Sequence, residues 1–369
     1  MIRLELRDTA FKVLEILDRE AFNLAWAYSR IGGCGEFRFG LPRRLFEEKS
    51  ISGDFNIRIY WKNPETNNLD LWYQGLVEDK IPSVLGNNET IEISGHGYSS
   101  QLRRIYIDET FTSTELSAIV ASIIGTNVSA DTDIVFDASL IATTGFTPDT
   151  LDFNDDAESA IQKCADIAGG IEWGVDRDRK FFFKANDTDV GFRFPFGRNI
   201  TNFTEDVEFR SIVNRAVVQG AQTGGTYYAS THNEDTSQLK YNLRTEVLQN
   251  SSIITDAVAA QYATAYFSEY ATPQRRANAD LINYEALLEA TTPIPLVDLV
   301  EKLITYGTRK YGTFLYSGSV NRQINRVNYK LTNQNSLEIS LDFGKKRPTV
   351  SEEFSRILYD LDQQRSASL

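Results

Sequence analysis

The chain has 369 residues, 41% of them hydrophobic and 12% aromatic, and a net charge of −13 from 38 Lys and Arg against 51 Asp and Glu. That length exceeds one ordinary core, and the apolar content excludes a disordered chain. The charge excludes a broadly basic, phosphate-gripping surface, because DNA binding needs lysine and arginine to displace counterions.

No apolar run approaches the roughly 20 residues of a membrane helix. The start "MIRLELRDTAFKVLEIL" lacks a signal-peptide core, since Glu5, Arg7, Asp8, Lys12 and Glu15 interrupt it; folding in a cytoplasm is expected. The first hundred residues read as β. "EFRFGLP" puts Phe37, Phe39 and Leu41 on one face, "FNIRIYW" does the same for Phe55, Ile57, Ile59 and Trp61, and "ETIEISG" alternates through Ile91 and Ile93. Gly53-Asp54, Asn63-Pro64, Asn67-Asn68 and Gly86-Asn87-Asn88 supply turns between them, the grammar of a small barrel or sandwich.

The period then changes. In "TSTELSAIVASIIG", Thr112 and Glu115 form a capping-box pattern, Leu116, Ile119, Val120 and Ile123 form a helical stripe, and Gly125 predicts a stop. "DDAESAIQKCADIAGG" predicts a second helix, capped at Asp155 with Glu158 three residues on and ended by Gly169-Gly170. "IEWGVDRDRKFFFKA" reads as a hairpin turning over Asp176 to Arg179.

Strands return at "EFRSIVNRAVVQG", and "TGGTYYASTHNEDTSQLKY" reads as a polar hairpin or loop. "SIITDAVAAQYATAYFSEYATP" is a helix with Pro273 past its end. "NSLEISLDFG" alternates through Leu337, Ile339, Leu341 and Phe343, and "NQNS" turns it back on "NRVNYKL". The tail "SEEFSRILYDLDQQR" is predicted as an amphipathic helix with Phe354, Ile357, Leu358 and Leu361 in its stripe. A faint internal echo relates Asp54 and Gly75 to Asp298 and Gly318, as if two β domains shared one plan.

Catalytic equipment is sparse. Cys34 and Cys164 are expected to be reduced and buried, and with only His96 and His232 beside them no zinc spacing exists. His96 in "SGHGYSS" has no G-x-S-x-G partner, and His232 in "STHNEDT" reads as solvated. "DRDR" lacks the glycine and distal glutamate of a calcium loop, and "GAQTGGT" lacks a P-loop lysine. Paired carboxylates for glycoside cleavage stay open, because sequence does not show their separation in space. No cofactor, no metal and no enzymatic activity are expected.

Four segments in order carry a resemblance: "EFRFGLP" with "SISGDFNIRIYW"; "WYQGLVEDK" leading to "IEISGHGYSSQLRR"; "DDAESAIQKCADIAGGIEWGVDRDRKFFF"; and "SGSVNRQINRVNYKLTNQNSLEISLDFG". The layout resembles the bacteriophage tail hub or baseplate hub family. The resemblance implies an α+β, mainly β chain with two tube-like β-barrel domains, at 1–108 and 191–347. A small α+β domain at 109–190 is inserted between them, the second barrel carries a helical insertion, and a C-terminal helix occupies 348–369.

It further implies a structural virion protein at the tail tip or baseplate, assembled in the host cytoplasm. A homotrimer would meet a tail tube or distal tail ring above and a spike or tip protein below, with DNA passing through its lumen without specific binding. Trp61, Trp72, Tyr73, Phe314 and Tyr316 are candidates for core or subunit seam. The alternatives are a hexameric tail tube or distal tail protein, and a carbohydrate-binding or cell-wall-degrading tail-tip protein.

Overall fold

Strand alternation in the first hundred residues and in the last described eighty turns out to serve a single sheet. The structure is a computed structural model that describes residues 2–17, 20–48, 55–62, 68–85, 88–185, 190–193, 200–223, 226–250, 253–281, 303–308, 318–331 and 337–343. The chain opens with β1 (Ile2–Arg7), β2 (Val13–Ile16), β3 (Phe22–Ser29), β4 (Gly32–Pro42), α1 (Arg43–Glu48), β5 (Asn56–Lys62), β6 (Leu69–Leu85) and β7 (Asn88–His96). A 3-10 turn leads into β8 (Tyr106–Thr112), α2 (Leu116–Ser122), β9 (Thr150–Asp156), α3 (Ala157–Ala168), β10 (Ile171–Val175) and β11 (Phe181–Ala185). There follow β12 (Val190–Arg193), β13 (Ile200–Glu208), β14 (Arg215–Thr223), β15 (Thr226–Asn233), α4 (Asp235–Tyr241), β16 (Thr245–Gln249) and α5 (Asp256–Tyr270). The last described elements are β17 (Gln274–Leu281), β18 (Leu303–Thr308), β19 (Gly318–Leu331) and β20 (Leu337–Phe343). The fold is α+β and mainly β.

Among the described residues the main sheet has 15 strands, with the path β13-β17-β20-β19-β3-β4-β7-β6-β5-β1-β2. Its decisive pairing is β19 against β3, which sets Tyr329 beside Trp26 and Val327 beside Tyr28. One core therefore takes Leu4, Phe37, Ile57 and Ile93 from the start of the chain and Ala279, Val327, Leu341 and Phe343 from its end. A second core joins Ile107, Ile119, Ile161 and Phe183 to Ala216, Val218, Ala259 and Phe267. The helical insertion expected inside the second barrel is thus larger than its helix. The sheet β15-β14-β16 belongs to it, and the unit packs with the residues around 98–183.

Both predicted caps shift by a few residues. Glu115 is itself the N-cap of α2: its carboxylate accepts from the backbone N–H of Ser117 at 2.8 Å and of Ala118 at 3.3 Å. The same carboxylate accepts from the N–H of Thr144 at 2.8 Å and of Gly145 at 3.1 Å, tying the helix start to a distant loop. The helix does not stop at Gly125 but runs on as a π-helix over Ile123–Val128, whose Ile123, Ile124 and Val128 are buried. In α3 the cap is Asp156, not Asp155, and it accepts from Ser159 N–H at 2.9 Å. The predicted hairpin stands as read, with Val175 opposite Phe181. "THN", read as loop, is the end of strand β15, and "DTSQLKY" is helix α4. The C-terminal helix and the "NQNS" turn lie outside the described residues, as do Asp54 and Asp298 of the internal echo.

The two cores meet where β10 runs parallel to β4, Gly174 beside Gly32 and Val175 beside Gly33. A Cβ on Gly174 would lie 2.3 Å from the Gly33 nitrogen, and one on Gly33 would lie 2.1 Å from the Val175 carbonyl oxygen. Side chains complete the junction. Tyr98 donates to Asn56 Oδ1 at 2.8 Å, Gln74 donates to the Arg177 carbonyl, and the Arg179 guanidinium sits 4.1 Å above the Phe11 ring.

Two outcomes are expected. Gly174→Ala forces backbone apart at the junction and lowers unfolding free energy by about 3 kcal/mol, whereas Gly145→Ala, whose Cβ meets nothing within 4 Å, costs about 1 kcal/mol through its positive φ alone; urea denaturation of both compares them. For Glu115, burial alone would raise the carboxyl pKa, but the hydrogen bonds from Ser117 and Thr144 outweigh it and the net shift is downward. A depressed folded-state pKa stabilises above the unfolded value and loses that contribution as pH falls through the folded one. Glu115→Gln therefore costs about 1 kcal/mol at neutral pH, and denaturation curves taken at descending pH should show the gap to the parent narrowing below about pH 4.

Candidate functional site

The feature the fold builds most deliberately is a polar surface on the main sheet. In the run β13-β17-β20-β19-β3-β4-β7-β6 each strand is antiparallel to its neighbours. Alternation then sorts the side chains. Ala277, Ala279, Ile339, Leu341, Val327, Tyr329, Phe37, Phe39, Ile91 and Ile93 are buried on one side. On the other side stand Asn202, Thr204 and Asp206 of β13; Arg276, Asn278 and Asp280 of β17; Glu338, Ser340 and Asp342 of β20; and Arg326, Asn328 and Lys330 of β19. Glu36 and Arg38 of β4, Glu92 and Ser94 of β7, and Asp79, Ile81 and Ser83 of β6 extend it.

This side is laced across strands. Asn278 donates to Asp342 Oδ1 at 2.6 Å and Asn328 to Asp342 Oδ2 at 3.0 Å. Arg326 Nε donates to Asn328 Oδ1 at 2.6 Å, and its other nitrogen reaches Glu36 on β4. Asn202 donates to Asp280 at 3.0 Å. Three of the cations are matched: Arg326 with Glu36, Arg276 with Glu208 at 3.1 Å, and Lys330 with Glu338 at 3.6 Å. Glu36 and Glu338 remain 63% and 60% exposed, so the face is open to water in the single chain. Acids outnumber bases, and the matched bases are partly neutralised. Such a face offers water and polar surfaces many hydrogen bonds and offers a phosphate backbone little attraction.

No family model and no curated protein matches the sequence. Solved structures do. The chain is similar to the 43 kDa tail protein of prophage MuSo2 from Shewanella oneidensis, with 12% identity and a TM-score of 0.64 over 93% of this chain and 97% of that one. It is similar to a tail protein of Neisseria meningitidis, with 9% identity and a TM-score of 0.64 over 94% and 97% of the two chains. A prophage tail protein of Listeria monocytogenes matches at 11% identity and a TM-score of 0.58, over 98% of this chain and 99% of that one. The fold is that of phage tail proteins.

Within this tail-protein fold the aromatic candidates take different places. Tyr73 is fully buried and donates to the Gly35 carbonyl at 2.5 Å. Trp72 is 4% exposed, and Trp61 is half-buried against it, the rings stacked 5.2 Å apart. Trp72 also meets Tyr329 at 5.6 Å, and Tyr329 stacks on Trp26 at 5.1 Å. A bulge explains why consecutive residues are both buried: Ile59 pairs with Tyr73 but Tyr60 pairs with Leu71, leaving Trp72 as the extra residue. Phe314 and Tyr316 lie outside the described residues.

Thr264 and Ser268, the hydroxyls that share a cleft with His232, donate to the Ala260 and Ala265 backbone carbonyls at 2.8 and 2.6 Å. His96 ends β7 and bonds Glu78 at 2.6 Å. His232, expected to be solvated, is half-buried in β15, opposite Ala216, and lines a shallow cleft of about 430 Å³ with Glu234, Thr264 and Phe267. Among the described residues no group of three His, Cys, Asp or Glu is placed to hold a metal, and no helix is long and apolar enough to cross a membrane. Cys34 and Cys164 are buried, and burial pushes both thiols up to about 12. Sequence reasoning missed the polar face because it followed the apolar positions of "NRVNYKL" and "SLEISLDF". The intervening Arg326, Asn328, Glu338, Ser340 and Asp342 carry the signal in the same two segments.

Asn328 bridges Arg326 and Asp342, so Asn328→Ala is expected to cost about 1 kcal/mol. A double-mutant cycle with Asp342→Ala, read by urea denaturation, should give a coupling of about 0.5 kcal/mol or more.

Proposed function

We propose that the chain is a structural subunit of a phage tail: a trimeric hub at the distal end of the tail tube, with its polar sheet face lining the channel. The observation that carries this reading is the join between β3 and β19. It places two four-stranded antiparallel runs, β13-β17-β20-β19 and β3-β4-β7-β6, side by side in one sheet. We read these two runs, which share one sheet and one core, as the counterparts of the two tube-like domains expected at 1–108 and 191–347. Three copies present six, which lets a three-fold ring stack on a six-fold tube. The second core, with β8–β11 and α5, stands beside the modules as the inserted α+β unit.

The acid-rich face supports a passage for DNA. A duplex moving through the ring meets side chains that hydrogen-bond water and repel phosphate, so it slides without adhering. The work is mechanical: the ring ends the tube, carries tip or spike proteins below it, and leaves a path open. A non-catalytic role agrees with the matched structures, which are tail proteins.

Light scattering on the purified protein tests the reading. A mass of three times the 41.7 kDa chain is expected, with seams that each bury more than about 2,000 Å². Six times that mass would replace the hub with a hexameric tube or distal tail ring, and a single-chain mass at every concentration would overturn the ring.

A further inference from the structure

The inserted unit carries apolar side chains on the side turned away from its core. Leu239 of α4 is 90% exposed, and Phe209, Leu243 and Val247 are each half exposed. Leu239 and Leu243 are four residues apart across the end of α4. Arg244, next to Leu243, donates from Nη1 to the Phe209 carbonyl at 2.7 Å. Val247 faces away from its neighbour Glu246, whose carboxylate accepts from Tyr266 of α5 at 3.0 Å. In a chain of net charge −13 this patch has basic surroundings. Lys240 is part of α4, Arg244 reaches Phe209, and Arg215 pairs with Thr245 at the start of β16. Of the nearby acids, Glu246 is held by Tyr266 and Glu234 lines the cleft with His232, which leaves Asp235 at the start of α4.

We propose that this patch is the docking site of the chain's own segment "SEEFSRILYDLDQQR", with Phe354, Ile357, Leu358 and Leu361 seated on Leu239, Leu243 and Val247. The proposal stands apart from the ring. Its first support is where the described chain leaves the sheet. β20 ends at Phe343 opposite Ala277, and antiparallel pairing directs its onward course toward Gln274 and the end of α5. There the Ala271 carbonyl accepts from the Ser237 hydroxyl of α4, and the Tyr270 carbonyl accepts from Val213 N–H at 2.9 Å. The start of α4 is therefore within about 25 Å of Phe343, one inter-strand spacing plus at most six extended residues. Residues 344–350 span up to about 23 Å, so Ser351 comes within reach of α4. The second support is the helical spacing of the four apolar residues, a stripe that needs an apolar surface. The third is charge: Glu352, Glu353, Asp360 and Asp362 outnumber Arg356 and Arg365, the complement of a patch bordered by Lys240, Arg244 and Arg215. A tethered segment also has a high effective concentration at a site this near, an advantage that no separate molecule shares.

Cross-linking and amide exchange on the full chain test the docking. Cys34 and Cys164 are buried, so introduced thiols can be addressed alone. Leu239→Cys with Leu358→Cys is treated with a short bis-maleimide beside its two single variants. The expected product is a link between positions 239 and 358 within one chain, from the double variant only. Leu239→Asp supplies the second reading, because an exposed side chain on a bare surface tolerates that change. Its amides at 351–361 are expected to exchange about tenfold faster than in the parent, while those of β14 stay unchanged. The reciprocal Leu358→Asp is expected to speed exchange in α4 and β16. A link that joins positions 239 and 358 of two different chains overturns docking within the chain and assigns the patch to a second copy. Equal exchange at 351–361 in the parent and in Leu239→Asp overturns the docking altogether, whether or not a link forms.

Discussion

Everything in this molecule depends on β19 finding β3. Residues almost three hundred positions apart, Arg326 and Ser29 among them, become neighbours in one ladder. The aromatic group Trp26, Trp72, Trp61 and Tyr329 locks the contact from the core side, with ring spacings of 5.1 to 5.6 Å along the chain of contacts. From the other side Arg326 reaches Glu36 and Asn328 reaches Asp342, so the same strand is held by oil and by hydrogen bonds. Without this pairing there would be two small sheets, each with a bare edge. With it there is one wall, and Arg326 spans the join to Glu36 past the small Ala25 and Ala27 that β3 contributes to the polar side.

The second core hangs on that wall by a narrow attachment. Two glycines in backbone contact, Gly33 and Gly174, allow β10 to lie directly on β4. Tyr98, Gln74 and Phe11 fix the angle of the attachment, and the close backbone approach makes the contact intolerant of even a methyl group. The inserted unit can therefore carry its own helices and sheet without disturbing the register of the strands that bear the polar face.

Local patterns were largely legible in the sequence, and their partners were not. Period-two alternation placed Phe37, Phe39, Ile57, Ile93, Leu341 and Phe343 on buried faces, because burial on one side of a sheet imposes that period wherever the partner comes from. The same pattern says nothing about which strand lies next door, so the shared core of early and late strands and the allegiance of residues 213–271 to the second core emerged only in three dimensions. Caps moved because Glu115 and Asp156 compete with equally suitable neighbours, and tertiary contacts at Thr144 decided the first case. Trp72 illustrates a further limit: a bulge turns it inward beside Tyr73, which simple alternation forbids. The candidate site escaped notice for a related reason. A polar face is written in the residues between the apolar ones, and Asn278, Asn328 and Asp342 become a network only after three separate strands align.

The long-range ladder has a consequence for biosynthesis. At about 5–20 residues per second, the ribosome needs roughly 15–60 s after making β3 before β19 emerges. For that interval the nascent N-terminal half presents a naked, aromatic-lined strand edge to the cell. The inserted unit, whose last helix ends at Tyr270, leaves the ribosome before β19 begins at Gly318, so translation itself sets the order in which the wall and its attachment are completed.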